Sequence, residues 1–144
     1  MLRQYAPTWL VQLSGVLDEA EAQVLRLQVQ GATQQRMLRE MAEAIEAGTA
    51  RRPLVLIVED LHWSDHATVE LLSYLAQRRE RARLMIIGTY RPADLVLGNH
   101  PLKAMKQELH AKHLCEELRL ELLSQLAVQE CFNHLFLTIS FPLS

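Results

Sequence analysis

Two apolar runs, Leu54-Val55-Leu56-Ile57-Val58 and Leu84-Met85-Ile86-Ile87-Gly88-Thr89, constrain this chain more than any other feature. Each is too short for a helix of ordinary length and too continuous for a strand with one wet face. Each therefore reads as a strand buried on both faces. Between them, Ser64 or Asp65 can cap a helix running to about Arg79, with Val69, Leu72, Leu75 and Ala76 on one side. Arg78, Arg79 and Arg81 suit the negative end of its dipole. Strand, helix, strand is a βαβ unit, which is right-handed and sets its strands parallel. Arg91-Pro92 closes the second run, because proline donates no N–H and holds the preceding residue extended. The strand ends Glu59-Asp60 and Thr89-Tyr90-Arg91 then open on one edge, where α/β sheets take their ligands.

Residues 1–50 read as a helical lead-in to this unit. Asp18 and Glu21 have capping-box spacing ahead of Val24, Leu25 and Val29, and that helix should end near Gly31. Thr33 can cap a second helix with Met37, Leu38, Met41 and Ile45 on one face and Gly48 placed to stop it. Residues 51–123 form the core. After the second strand, Pro101 suits the first turn of a helix presenting Leu102, Met105 and Leu109. Leu118, Leu120 and Leu122 alternate with Arg119 and Glu121, the pattern of a shorter third strand. Residues 124–144 carry a last helix from Ser124 through Phe136, then a tail with no helical period. At 144 residues and 49% apolar composition, one domain can bury about two-thirds of its unfolded surface.

Composition excludes several classes. A net charge of -2 gives no basic field for nucleic acid or anionic membrane. No stretch approaches the ~18 apolar residues of a membrane span, and the N-terminus has no basic run followed by an apolar core. The expectation is a cytoplasmic chain without membrane contact. Cys115 and Cys131 stand too far apart for a redox pair and read as buried reduced thiols. The patch Arg78-Arg79-Glu80-Arg81-Ala82-Arg83 is interrupted and lacks aromatic interleaving, which argues against direct nucleic-acid binding. His62 and His66 have a metal-ligand spacing, but Asp65 marks a turn between them rather than one helical face.

The chemistry-bearing string is Val58-Glu59-Asp60-Leu61-His62-Trp63-Ser64-Asp65. Adjacent carboxylates at the end of a buried strand must face an opening, since desolvating two like charges is strongly unfavourable. A strand ending in a solvated acidic turn explains the same pair. With Ile87-Gly88-Thr89-Tyr90-Arg91-Pro92 about one helix later, however, the string resembles the AAA-type ATPase module of bacterial STAND regulators, a class of signal-transduction P-loop ATPases. The likeness extends upstream through Ala6-Pro7-Thr8-Trp9-Leu10 and Arg36-Met37-Leu38-Arg39-Glu40, and downstream to Leu118-Arg119-Leu120, covering roughly Tyr5 to Val128.

The resemblance implies an α/β fold of the P-loop NTPase type, a three-layer αβα arrangement on a parallel sheet, with Mg²⁺ and ATP as cofactors of the complete domain. It implies that Glu59 holds the Mg²⁺ position of the Walker B strand, where many relatives have Asp, and that Asp60 is the catalytic acid that positions water. It further implies that Arg91 is the sensor of the γ-phosphate, with Thr89 beside it. His62 and Trp63 are assigned to packing and Asp65 to helix capping. What is missing is the phosphate loop GxxxxGK[ST], whose backbone N–H groups wrap phosphates. None of Gly15, Gly31, Gly48, Gly88 and Gly98 begins it.

The family's first strand would fall before Tyr5, so the expectation is a partial fold lacking the P-loop strand. Either the sheet rearranges or an edge stays exposed. Two functions follow. One is a fragment of an ATP-hydrolysing regulator, coupled to other domains and not nucleotide-competent alone. The other is a non-enzymatic interaction module, or a degenerate gene remnant, using the helices around Met37–Ile45 and Leu102–Leu109 for partner contact.

Overall fold

In a computed structural model the chain is described over residues 2–13, 15–78, 82–96 and 100–137. Helix starts follow side-chain chemistry. Asp18 accepts the Glu21 N–H at 2.7 Å and Thr33 accepts the Arg36 N–H at 3.3 Å, opening α3 (Glu19–Gln28) and α4 (Gln34–Thr49) as their spacing predicts. Two short helices not expected from the sequence, α1 (Leu2–Tyr5) and α2 (Pro7–Gln12), precede them. Glu40 binds α2 to α4. Its buried carboxylate accepts the Thr8 N–H at 2.9 Å, the Thr8 hydroxyl at 3.0 Å and the Arg36 guanidinium at 2.8 Å, so the charge is fully partnered.

Gly48 does not end α4. The helix runs through it to Thr49, whose hydroxyl donates to the Ile45 carbonyl at 2.8 Å. Arg83 then donates to the Thr49 carbonyl at 3.1 Å and to that of Ala50, satisfying acceptors that a helix end leaves open. Arg78 engages Glu46 of α4 at 2.8 Å and the Tyr74 hydroxyl at 3.1 Å. These two members of the basic patch are thus structural cations. Arg79 and Arg81 lie outside the described residues.

The βαβ unit forms as expected. β1 (Leu54–Val58) pairs in parallel with β2 (Leu84–Gly88), with Leu54 opposite Leu84 and Val58 opposite Gly88. Asp65 caps α5 (His66–Gln77) by accepting the Thr68 N–H at 2.8 Å, and Val69, Leu72 and Leu75 are all buried. The core lies on one face of the sheet. There Leu56, Val58 and Ile86 pack against Leu61, Val69, Leu72, Leu95 and Leu102, contributed by the turn after β1 and by α5, α6 (Pro92–Val96) and α7 (Pro101–Ala111).

The other face is open. Val55, Ile57, Met85 and Ile87 are exposed, Ile57 to 63%. The expectation of strands covered on both sides is therefore corrected: among the described residues, helices cover one side only. The third strand is also absent from the described residues. Residues 112–124 hold no strand, and Leu118, Leu120 and Leu122 are exposed, the last to 99%. The segment is tied elsewhere. Glu117 accepts from Lys106 at 2.8 Å and from the Tyr90 hydroxyl, which holds it beside the end of β2 rather than along its edge. Burial works to lower the Lys106 pKa, but its bonds to Glu117 and Tyr90 outweigh it and leave the ammonium held above its ordinary value.

α8 (Gln125–Leu137) begins where Ser124 accepts the Ala127 N–H at 3.2 Å, as the sequence predicts. Cys131 on it is exposed and Cys115 is half-buried, so neither is the buried thiol expected; both are free. The tail beyond it, residues 138–144, lies outside the described residues. No helix among the described residues is long and apolar enough to cross a membrane.

Two predictions follow from this packing. A Cβ on Gly88 would lie 2.4 Å from Leu61 Cδ1, inside the core, so Gly88→Ala should destabilise the chain by about 1–3 kcal/mol in urea unfolding, with an unchanged m-value. The Asp65 carboxyl is held below its ordinary pKa by the Thr68 hydroxyl and backbone N–H. A depressed native pKa gives stability that is present above the unfolded value of about 4 and lost as pH falls through the native one. The stability difference between wild type and Asp65→Ala should therefore stay constant above about pH 4 and shrink below it.

Candidate functional site

Parallel register places the two strand ends side by side, and a short ladder of hydrogen bonds holds them there. The Thr89 N–H donates to the Val58 carbonyl at 3.0 Å, and the Thr89 carbonyl accepts the Leu61 N–H at 2.8 Å. The Thr89 hydroxyl accepts the Asp60 N–H at 3.1 Å. Thr89 thus has a more definite place than a neighbour of Arg91. It fastens the acidic end of β1 to the end of β2.

Asp60 stands at the head of a 3₁₀ turn, Leu61–Trp63, with φ 54° and ψ 42°. This left-handed conformation is uncommon for a residue with a side chain, and Asp tolerates it better than most. The turn is stabilised from within. The Trp63 N–H donates to the Asp60 carbonyl at 2.9 Å, and the Ser64 hydroxyl donates to the Leu61 carbonyl at 2.7 Å. His100 secures it from α7. Its Nδ1 accepts the Leu102 N–H at 3.2 Å, which leaves Nε2 to donate to the Ser64 carbonyl at 2.9 Å.

The sequence-based site residues are brought to this edge. Glu59, Asp60, Thr89 and Arg91 are all exposed there, and the side chains of Glu59 and Arg91 make no hydrogen bond or ion pair among the described residues. His62 differs from expectation in kind. Its side chain is fully buried; Nδ1 accepts the Arg91 N–H at 3.4 Å and lies 3.9 Å from Asp60 Oδ1, while Nε2 lies 3.3 Å from Asp94 Oδ2. Trp63, expected to pack, is exposed, with its ring 5.4 Å from that of His62. No three His, Cys, Asp or Glu side chains among the described residues converge on a metal position. Asp94 and His100 carried no signal in the sequence. Their roles depend on where α6 and α7 fold back.

Magnesium is commonly held by one or two carboxylates, with phosphate oxygens and water completing its shell. Glu59, exposed on an open edge, is one carboxylate of the kind that the metal half of a metal–nucleotide pair requires. The phosphate half would need a run of backbone N–H groups from a GxxxxGK[ST] loop, and the sequence does not contain one.

A cavity of about 360 Å³ lies on the far side of Tyr90, lined among others by Leu95, Lys103, Lys106, His110 and Arg119. It adjoins the strand ends without including either acid.

A family model described as the AAA ATPase domain matches residues 2–87, well over half of the chain. The matched region holds Glu59 and Asp60 and stops before Thr89 and Arg91. No curated protein and no solved structure matches the chain.

The backbone of Asp60 generates a separate prediction. Glycine adopts φ 54° without a Cβ penalty, so Asp60→Gly should leave thermal stability unchanged or raise it by up to about 1 kcal/mol, whereas the β-branched Asp60→Val should lower it. Equal losses in the two variants, measured by urea unfolding, would show that Asp60 stabilises the turn through its side chain instead.

Proposed function

Because the chain belongs to the AAA ATPase domain family, we propose that it is part of an ATP-binding, ATP-hydrolysing regulatory module, in which Glu59 takes the metal position, Asp60 orients the attacking water and Arg91 reads the γ-phosphate. The observation that supports this reading is the juxtaposition itself: the acidic end of β1 and the Arg91 segment share one sheet edge and are fastened by Thr89. Bound Mg²⁺ would neutralise developing charge on the transferred phosphoryl group. The chain's own residues do the rest. Asp60, fixed by its turn, presents a carboxylate that can accept a proton from water. Arg91 presents a guanidinium that is unpaired among the described residues and can donate to an anionic oxygen. Glu59 is one methylene longer than Asp, which suits contact with the metal through a water molecule.

These residues supply chemistry and not affinity. With no phosphate-wrapping loop in the sequence, the chain by itself is a poor nucleotide binder, and its activity belongs to a larger assembly of domains of the STAND regulator type. A second reading, an interaction module without catalysis, has one observation in its favour: the apolar sheet face formed by Val55, Ile57, Met85 and Ile87. The helices expected to meet a partner are less available. Leu38, Leu102 and Leu109 are buried within the fold.

Titration calorimetry with Mg-ATP tests the first reading, and no saturable micromolar binding is expected from this chain. Micromolar binding would overturn the claim that it is incompetent alone. Added Mn²⁺ should broaden the amide NMR signals of Glu59 and Asp60 more than those of exposed acids such as Glu19 or Glu130. Uniform broadening would remove the metal assignment.

A further inference from the structure

His62 is the most completely enclosed polar side chain near the site, with no exposed side-chain surface, and it touches all three segments that build the edge. On one side, Nδ1 faces the Arg91 N–H at 3.4 Å. An N–H can only donate, so Nδ1 must be the unprotonated nitrogen and Nε2 must carry the proton of the neutral ring. On the other side, Nε2 lies 3.3 Å from Asp94 Oδ2 yet forms no hydrogen bond of good geometry, and it is the one buried side-chain nitrogen or oxygen among the described residues left without one. The Nε2–H is therefore not directed at that carboxylate, and it is the Arg91 N–H on Nδ1 that fixes the tautomer. Asp60 Oδ1 stands 3.9 Å from the Nδ1 side.

We propose that His62, with its tautomer set by the Arg91 N–H, is a positioning residue that holds the Arg91 backbone against the turn that Asp60 opens and so transmits a displacement of the Arg91 segment to the acidic end of β1. The functional meaning rests on reading Asp60 and Arg91 as acid and sensor; the clasp itself does not. Packing alone is a poor account of this residue. A leucine or phenylalanine would fill the volume without burying two polar nitrogens, but the Arg91 N–H would then lose its acceptor. What imidazole adds is an acceptor for one backbone N–H. Thr89 joins the same two strand ends through Asp60, so Arg91 and Asp60 are connected both by the hydroxyl of Thr89 and by the ring of His62. A displacement of the Arg91 backbone thus reaches Asp60 through the buried His62 ring and through Thr89.

The full chain, with ¹⁵N-labelled histidine and backbone amides, allows a test without nucleotide. In wild type the His62 ring nitrogens should report the Nε2–H tautomer alone, and Asp94→Ala should leave it so, because the Arg91 N–H by itself requires Nδ1 to accept. His62→Phe keeps the volume and removes the acceptor, so Arg91 amide exchange should accelerate about tenfold relative to its neighbours, with a shift of the Asp60 amide signal. His62→Asn places an oxygen where Nδ1 stood and should restore both protection and shift. A wild-type Nδ1–H tautomer, a tautomer changed by Asp94→Ala, or equal Arg91 protection in the Phe and Asn variants would each overturn the proposal. Should His62→Phe fail to fold, the Asp94→Ala spectrum and the Asn variant still decide. Failure of the ATPase reading shows separately, in the calorimetry and Mn²⁺ broadening above, and leaves these signals where they are.

Discussion

The parallel pairing of β1 with β2, five residues against five in register, is the constraint from which the rest of the structure follows. Parallel strands cannot be joined by a tight turn, so α5 must cross over one face, and it carries Val69, Leu72 and Leu75 onto that face. The same pairing brings both carboxyl ends to one edge. Everything that makes this edge chemically interesting is a by-product of the pairing, fixed further by Thr89 and by the close approach of Leu61 to Gly88.

A two-stranded parallel sheet is a weak element alone, since such sheets normally sit between helical layers. This one has a layer on one side among the described residues. The exposed row of Val55, Ile57, Met85 and Ile87 represents burial not realised, on the order of 1 kcal/mol for each half-exposed side chain. The N-terminal helices do not supply the cover. They are occupied with one another through Glu40 and Thr8, and with α5 through the Arg78–Glu46 pair.

Local chemistry made much of this legible in the sequence. The caps at Asp18, Thr33 and Asp65 depend on residues three positions apart, and the two strands on a run of five apolar residues; neither needs knowledge of the distant chain. The errors came where distant partners decide. Continuous hydrophobicity in β1 and β2 suits burial on both faces, but it cannot say whether both layers are at hand. Leu118, Leu120 and Leu122 alternate like a strand, yet a strand exists only with a free edge in register, and Glu117 is drawn instead to Lys106 and Tyr90. Gly48 resembled a helix stop, but Arg83, more than thirty residues away, provides the termination. In the site, Glu59, Asp60, Thr89 and Arg91 were visible as strand ends, whereas the burial of His62 between Asp60 and Asp94 requires the fold of α6.

The strain at Asp60 and the packing of Leu61 are best understood together. Leu61 must enter the core against Gly88, and Asp60 must remain outside with its carboxylate in water, although the two are adjacent. An extended chain at Asp60 would continue β1 past the end of β2. A left-handed residue instead reverses the chain within one position, so that Leu61 turns inward while Asp60 is left at the edge. Once Leu61 is buried, the 3₁₀ turn is determined, His62 follows it into the interior, and its ring meets Arg91 and Asp94. Core packing and site geometry are therefore one arrangement here: a side chain too large at residue 88 would displace Leu61, and with it the carboxylate one residue earlier and the imidazole one residue later.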